Sequence, residues 1–318
     1  MKVAAVGATG FIGEHVTRWL VAAGHEVFGV HRGQTPARVP GMRSVLADRR
    51  DTAALGSALT EAAPNVLVDL IAYSAADVTS LLGALPPSVD RLVVVSSGDV
   101  YWTYDAFRGL IPAREVSAPL AETAPLREHL YPYRAQSRGP GDLGYSYEKI
   151  LVEQMAQTGS RAPVTILRLP MVYGLGDRQQ RVGGYLRRLT AASSLLRLNE
   201  REAHWRCTRG YVEDVAWAIA LGAVDERANG QVFNVGEAEA LTELEWVRAI
   251  AAASGWGGRV VADSAEPPSR PAEWSVPLVT ETRRIREVLG YTEPVGRAEG
   301  LRRTVEVGGG DTPRAGAA

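Results

Sequence analysis

Lys2-Val3-Ala4-Ala5-Val6 runs into Gly7-Ala8-Thr9-Gly10-Phe11-Ile12-Gly13, and the reading of this stretch decides the fold. The first segment is short and apolar, as a buried strand requires. The glycines repeat as G-x-x-G-x-x-G, and after them Ile12, Val16, Trp19, Leu20 and Ala23 recur at helical spacing on one face. Gly24-His25 ends that helix, and Glu26 to Val30 reads as a second strand. In a strand–glycine turn–helix–strand unit, glycines let the backbone approach a dinucleotide pyrophosphate. The helix N-terminus supplies N–H groups and a positive dipole for it. On that reading Gly7, Thr9, Gly10, Phe11, Ile12 and Gly13 form a cofactor cradle; a plain tight turn is the alternative.

The second signal is Lys149. Of 35 basic residues only Lys2 and Lys149 are lysines, so an amine at 149 reads as a chemical requirement. Tyr145 stands four residues earlier in Tyr145-Ser146-Tyr147-Glu148-Lys149. On a continuous helix the two share a face. An ammonium near a phenol favours the phenolate, which suits the tyrosine to proton transfer near neutral pH. A solvated helix face is the competing reading.

Together these motifs resemble the short-chain dehydrogenase/reductase superfamily in its extended, sugar-nucleotide epimerase/dehydratase branch. The resemblance runs along nearly the whole chain. Val93-Val94-Val95-Ser96-Ser97-Gly98-Asp99-Val100-Tyr101 is similar to the family's fifth strand and hydroxyl-bearing segment, which implies Ser97 as the active-site hydroxyl and puts Asp99 and Tyr101 beside the substrate. Leu167 to Gly174 resembles the segment at the nicotinamide end, which brings in Pro170 and Val172. Tyr211 to Ala216 and Gly230 to Gly236 resemble the helix start and following strand of the substrate lobe. The sequence departs from the pattern at Trp102, where glycine is usual. It departs again at Cys207, where a diphosphate-gripping arginine is usual and Arg206 and Arg209 flank the position.

The resemblance implies a mechanism. Tyr145 exchanges a proton with a substrate hydroxyl or carbonyl, Ser97 orients that oxygen, and Lys149 holds the cofactor ribose and lowers the tyrosine pKa. Leu70, Ile71 and Ala72, after a strand end, complete the cofactor wall. The second strand ends in His31-Arg32-Gly33 with no carboxylate for the ribose hydroxyls, so Arg32 points to a 2′-phosphate and favours NADP over NAD. Stacking on adenine or exposure to solvent is the alternative for Arg32. Asp48 matches the family's aspartate near adenine; its alternative is a helix cap, a role that suits Asp51 better. Arg178, Arg206 and Arg209 belong to an arginine-rich stretch that suits a diphosphate-bearing substrate, or else an ordinary surface in a chain that avoids lysine.

Composition agrees with a catalytic domain. The 318 residues are 46% hydrophobic, enough for a large core. A net charge of -1 argues against nucleic acid as main partner. The single cysteine, Cys207, excludes internal disulfides, and no metal site is expected. No apolar run is long enough for a membrane span and no signal-peptide layout is present, so a soluble cytoplasmic protein is expected. Strands near 26–30, 43–47, 66–70, 91–95 and 163–168 alternate with helices near 52–62, 75–84 and 145–158. This predicts an α/β fold with a doubly wound parallel sheet. Residues 1–170 are assigned to the dinucleotide-binding domain and 171–307 mainly to a smaller substrate lobe, with the chain crossing back; 308–318 is read as a disordered tail. Residues 102–142 form a long insert, either a substrate lid or a floppy surface excursion.

The expected function is NAD(P)-dependent epimerase, dehydratase or oxidoreductase chemistry on a hydroxyl or keto group of a nucleotide-sugar or related small molecule. An NADP-dependent carbonyl reductase is the alternative within the enzyme class. A cofactor-sensing or RNA-associated non-catalytic protein is the alternative outside it. A homodimer is compatible with the resemblance.

Overall fold

The structure, a computed structural model, describes residues 1–308. Its strands are β1 (Lys2–Val6), β2 (Glu26–His31), β3 (Arg43–Leu46), β4 (Val66–Asp69), β5 (Arg91–Ser97), β6 (Val164–Leu169), β7 (Met171–Tyr173), β8 (Leu195–Asn199), β9 (Arg209–Tyr211), β10 (Val232–Asn234) and β11 (Arg259–Asp263). The helices are α1 (Gly13–Ala22), α2 (Thr52–Ala62), α3 (Ala75–Gly83), α4 (Trp102–Phe107), α5 (Leu143–Ser146), α6 (Lys149–Gly159), α7 (Gly183–Ala191), α8 (Glu200–His204), α9 (Val212–Val224), α10 (Glu243–Ala253), α11 (Arg283–Leu289) and α12 (Arg297–Gly308). Residues 309–318, all of the expected tail except Gly308, lie outside the described residues.

Seven strands form one parallel sheet in the order β10-β6-β5-β4-β1-β2-β3. The apolar runs of β1, β4 and β5 follow from this, because a sheet covered by helices on both faces buries both sides of each central strand. Strand order reverses between β1 and β4, and ligands bind such sheets in the crevice beyond that point. Gly7 ends β1 there with φ +90, and a Cβ at Gly7 would stand 2.7 Å from the Ile71 side chain after β4. A Cβ at Gly13 would overlap the Gly7 carbonyl oxygen. The two glycines let the turn fold tightly onto β4 and onto the first turn of α1.

After the paired strands β7 and β9, helix α9 returns to the sheet and packs on α1, with Trp19 and Trp217 at 4.9 Å between ring centroids. The Trp19 indole N–H donates to the Glu213 carbonyl at 3.1 Å. Strand β10 then adds to the sheet edge beside β6. The separate β8–β11 pair and the helices around it build the smaller lobe.

The insert is not a floppy excursion. Leu120 N–H donates to the Val279 carbonyl at 2.8 Å, and Asn234 donates to the Leu120 carbonyl at 3.0 Å. Phe107 of α4 stacks on Trp205 at 4.9 Å, joining the insert to the smaller lobe.

The helix expected over 145–158 is broken in two. Helix α5 ends at Ser146, and α6 starts at Lys149. Between them Tyr147 (φ -61, ψ 120) and Glu148 (φ -159, ψ 94) are extended. Glu148 causes the break. Its backbone N–H donates to the Tyr73 carbonyl at 2.8 Å instead of to the preceding helical turn. Its carboxylate caps α6 through Ile150 N–H at 2.9 Å and pairs with Arg127 at 2.7 Å, both side chains being fully buried.

Candidate functional site

The site lies beyond the carboxyl ends of β1, β4 and β5. Lys149, the first residue of α6, is buried, and its Nζ donates to the carbonyls of Ala72 (2.6 Å) and Val95 (2.8 Å). Burial lowers its pKa to about 8, against the pull of Asp69 and Asp99. Asp69 is itself held by a two-pronged ion pair with Arg49, at 2.7 and 2.8 Å. The ring of Tyr73 lies 4.9 Å from Nζ, and that of Tyr147 lies 5.9 Å away.

Ser97 ends β5, and its Oγ accepts the Asp99 N–H at 3.2 Å. Asp99 is buried, and its Oδ2 accepts the phenols of Tyr147 (2.9 Å) and Tyr133 (3.0 Å). Its Oδ1 is buried without a partner among the described residues. Burial raises the Asp99 pKa despite Arg127 and the two phenols. Burial and the Asp99 charge together hold the Tyr147 phenol well above its ordinary range, while Ser97 bonds the same phenol and pulls the other way.

The break before α6 overturns the shared-face argument for Tyr145 and Lys149. The two residues sit on different helices, and the Tyr145 ring lies against Arg134, 4.8 Å from its guanidinium. In an extended segment residues two apart share a side, and this brings Tyr147 alongside Lys149. Sequence reasoning also missed Arg127 and Tyr133, which reach the site from the insert. An acidic residue directly before a helical run, Glu148, was the one local signal of the break.

Tyr101 cannot meet a substrate as expected. It is fully buried; its hydroxyl donates to Asn234 at 2.6 Å and accepts from Arg168 at 3.0 Å, tying β6 and β10 to the turn after β5. Arg206 is exposed and spends its guanidinium on the Ala240 carbonyl at 2.9 and 2.7 Å. Arg178 is exposed. Arg209 is buried, pairs with Glu243, and lies 4.6 Å from the Trp246 ring centroid. Arg209 and Trp246 line a cavity of about 120 Å³ with Arg181, Tyr185, Trp205 and Trp274. Arg209 Nη1 and Trp274 Nε1 are buried donors left unpaired among the described residues. Met171, one residue past Pro170, also lines it.

The glycine cradle fits a dinucleotide. No side chain caps α1; Glu14 and His15 donate to the Gly10 and Ile12 carbonyls, and the amides of Phe11, Ile12 and Gly13 have no partner among the described residues and can meet an anion. Gly10 is exposed, Thr9, Phe11 and Ile12 are half-buried, and Gly13 is buried against the turn. Leu70 and Ala72 are buried and Ile71 covers Gly7. Pro170 is half-buried between β6 and β7, and Val172 is buried in β7. Beyond β2, Arg32 is exposed and has no ion-pair partner among the described residues. Asp48 accepts the Arg50 N–H at 3.0 Å, and Asp51 caps α2 through Ala54 N–H at 2.9 Å. Among the described residues no group of three or more His, Cys, Asp or Glu is placed to hold a metal, and no helix is long and apolar enough to cross a membrane.

Residues 3–86, the strand–glycine–helix unit and the three strands beyond it, match the model of the NAD dependent epimerase/dehydratase family. Among curated proteins the chain is similar to 2'-dehydrokanamycin reductase of Streptomyces kanamyceticus, with 26% identity over 295 residues, 90% of this chain and 74% of the relative. Two solved structures share the fold. A Thermus thermophilus UDP-glucose 4-epimerase in complex with NAD superposes with a TM-score of 0.70 at 23% identity, over 98% of this chain and 100% of the other. A Stenotrophomonas maltophila UDP-glucose-4-epimerase with bound NAD and formylated UDP-arabinopyranose reaches 0.73 at 19% identity, over 98% of each chain.

Proposed function

We propose that the protein carries out nicotinamide-dependent redox chemistry on a hydroxyl or keto group of a sugar-like substrate. The observation that carries this reading is the buried Lys149 ammonium, held between β4 and β5 beside Ser97 and opposite the glycine cradle. A chain that uses arginine almost everywhere keeps a costly buried amine where a cofactor ribose would lie. Gly7, Gly10 and Gly13 hold the pyrophosphate against the α1 amides, with Leu70, Ile71, Ala72, Pro170 and Val172 as walls. The bound nicotinamide supplies a hydride acceptor and donor. Ser97 orients the substrate oxygen, and Lys149 holds the ribose and favours proton release from a neighbouring phenol. The cavity at Arg209 offers two unpaired donors between aromatic walls, which suits an oxygen-rich group such as a nucleotide-sugar diphosphate. A carbonyl reductase is the second reading; it is favoured by the similarity to 2'-dehydrokanamycin reductase and by a phenol that keeps its proton.

The test has two arms. UDP-glucose with NAD is assayed for epimerisation, and 2'-dehydrokanamycin with NADPH for loss of absorbance at 340 nm. Turnover of neither probe, together with no binding of NADH or NADPH by nicotinamide fluorescence, would overturn the reading. Two variants sharpen it. Gly10→Val is expected to fold and to lose binding of both cofactors; retained binding would move the site elsewhere. Arg32→Ala is expected to weaken NADP binding selectively, by about one to two decades for a lost charge-assisted phosphate contact worth about 1.5–3 kcal/mol. Equal losses for NAD and NADP would show that Arg32 does not read the 2′-phosphate.

A further inference from the structure

We propose that Tyr147, two residues before Lys149, is the phenol that delivers the proton, and that Asp99 is the positioning residue that resupplies it. The inference rests on the redox reading above. Three observations carry it. The extended Tyr147–Glu148 link turns Tyr147 to the Lys149 side while Tyr145 packs under Arg134. The Tyr147 hydroxyl lies 2.9 Å from Asp99 Oδ2, and Asp99 in turn bonds Ser97 through its backbone N–H. Asp99 Oδ2 also accepts Tyr133, whose hydroxyl meets that of Tyr104 at 2.8 Å. Tyr147, Asp99, Tyr133 and Tyr104 thus form a continuous hydrogen-bonded row from the Ser97 hydroxyl into the insert. The buried, unpartnered Asp99 Oδ1 gives the carboxyl a free acceptor in this row.

In the reducing direction, hydride adds to the carbonyl carbon and the carbonyl π pair moves onto oxygen. The Tyr147 Oη–H bond breaks and that proton goes to the oxygen, giving the alcohol. The phenolate left behind is reprotonated by a shift along the row: Asp99 Oδ2 takes the Tyr133 proton as it passes one to Tyr147, Tyr133 takes the Tyr104 proton, and half-buried Tyr104 takes one from solvent. Oxidation runs the same transfers in reverse.

Two measurements test this. First, the ligand-free protein is labelled with tyrosine carrying 13C at Cζ, and resonances are assigned by loss in Tyr147→Phe and Tyr145→Phe. The Tyr147 signal is expected to shift with a carboxyl titration lying above the ordinary aspartate range and to lose that shift in Asp99→Asn. The Tyr145 signal is expected to stay flat. A flat Tyr147 signal in the parent overturns the relay. Second, on the carbonyl probe turned over in the preceding test, Tyr147→Phe is expected to lower turnover by about 10²–10⁴ with nicotinamide binding intact. Tyr145→Phe should stay within about threefold. The reverse pattern overturns the assignment of the phenol. Should Asp99→Asn fail to fold, the contrast between the two tyrosine variants still decides. Absence of turnover with either probe counts against the redox reading alone, and the resonance titration then decides the Tyr147–Asp99 coupling by itself.

Discussion

Glu148→Ala is expected to cost the folded protein about 3–5 kcal/mol, the range found when one partner of a buried ion pair is removed. Glu148 and Arg127 have no exposed side-chain surface, so the variant leaves a guanidinium buried without its counter-charge. The same carboxylate caps α6 and accepts the backbone N–H of Tyr131, and both donors are orphaned as well. Urea unfolding at neutral pH measures the loss. The double variant Arg127→Met, Glu148→Leu should recover much of it, because no unpaired charge remains. Cofactor-site geometry should suffer along with stability, since Glu148 sets where Tyr147 and Lys149 point. A loss below about 1 kcal/mol in Glu148→Ala would mean that the break between α5 and α6 does not depend on this carboxylate.

Lys149→Met is expected to abolish detectable turnover, a fall of about 10²–10⁴ or more, and to weaken nicotinamide cofactor binding. Its effect on stability has the opposite physical origin. The folded-state pKa of Lys149 is lowered to about 8 from 10.5, so the unfolded chain holds the proton more tightly. Below pH 8 both states are protonated and burial of the charge penalises folding by about 3 kcal/mol. Between pH 8 and the unfolded value the unfolded state binds more protons, so stability rises with pH and the penalty fades. Methionine removes that penalty and leaves the Ala72 and Val95 carbonyls without their donor. Parent stability is therefore expected to gain on Lys149→Met as pH is raised from about 8 towards 10, measured by urea unfolding of both proteins. A difference that stays flat over this range would show that Lys149 is not a strained buried ammonium.

The strand–glycine turn–helix unit was legible because its signals are local. Apolar runs, a glycine at φ +90 and a helix start each depend on a few neighbouring residues. The same holds for Asp51 as the cap of α2 and for Ser97 at the end of β5. The substrate side was less legible. Nothing local distinguishes Tyr101 in the core from a tyrosine in a cleft; Asn234 and Arg168, far along the chain, make that decision. Arg206 and Arg209 are likewise separated by what they meet: the Ala240 carbonyl for one, Glu243 and Trp246 for the other.

The sequence by itself determined the doubly wound sheet, the glycine turn between β1 and α1 and the singular amine at Lys149, since each is written in short-range pattern or in composition. Tertiary structure alone decided which tyrosine stands beside that amine. A continuous helix over 145–149 satisfies local propensity and puts Tyr145 on the Lys149 face. Arg127, brought in from the insert, instead holds Glu148 in an extended conformation, and Tyr73 takes the backbone N–H that the helix would have used. A buried ion pair and one long-range hydrogen bond outweigh the propensity of a single helical turn, and the repeat that matters at the site changes from four residues to two.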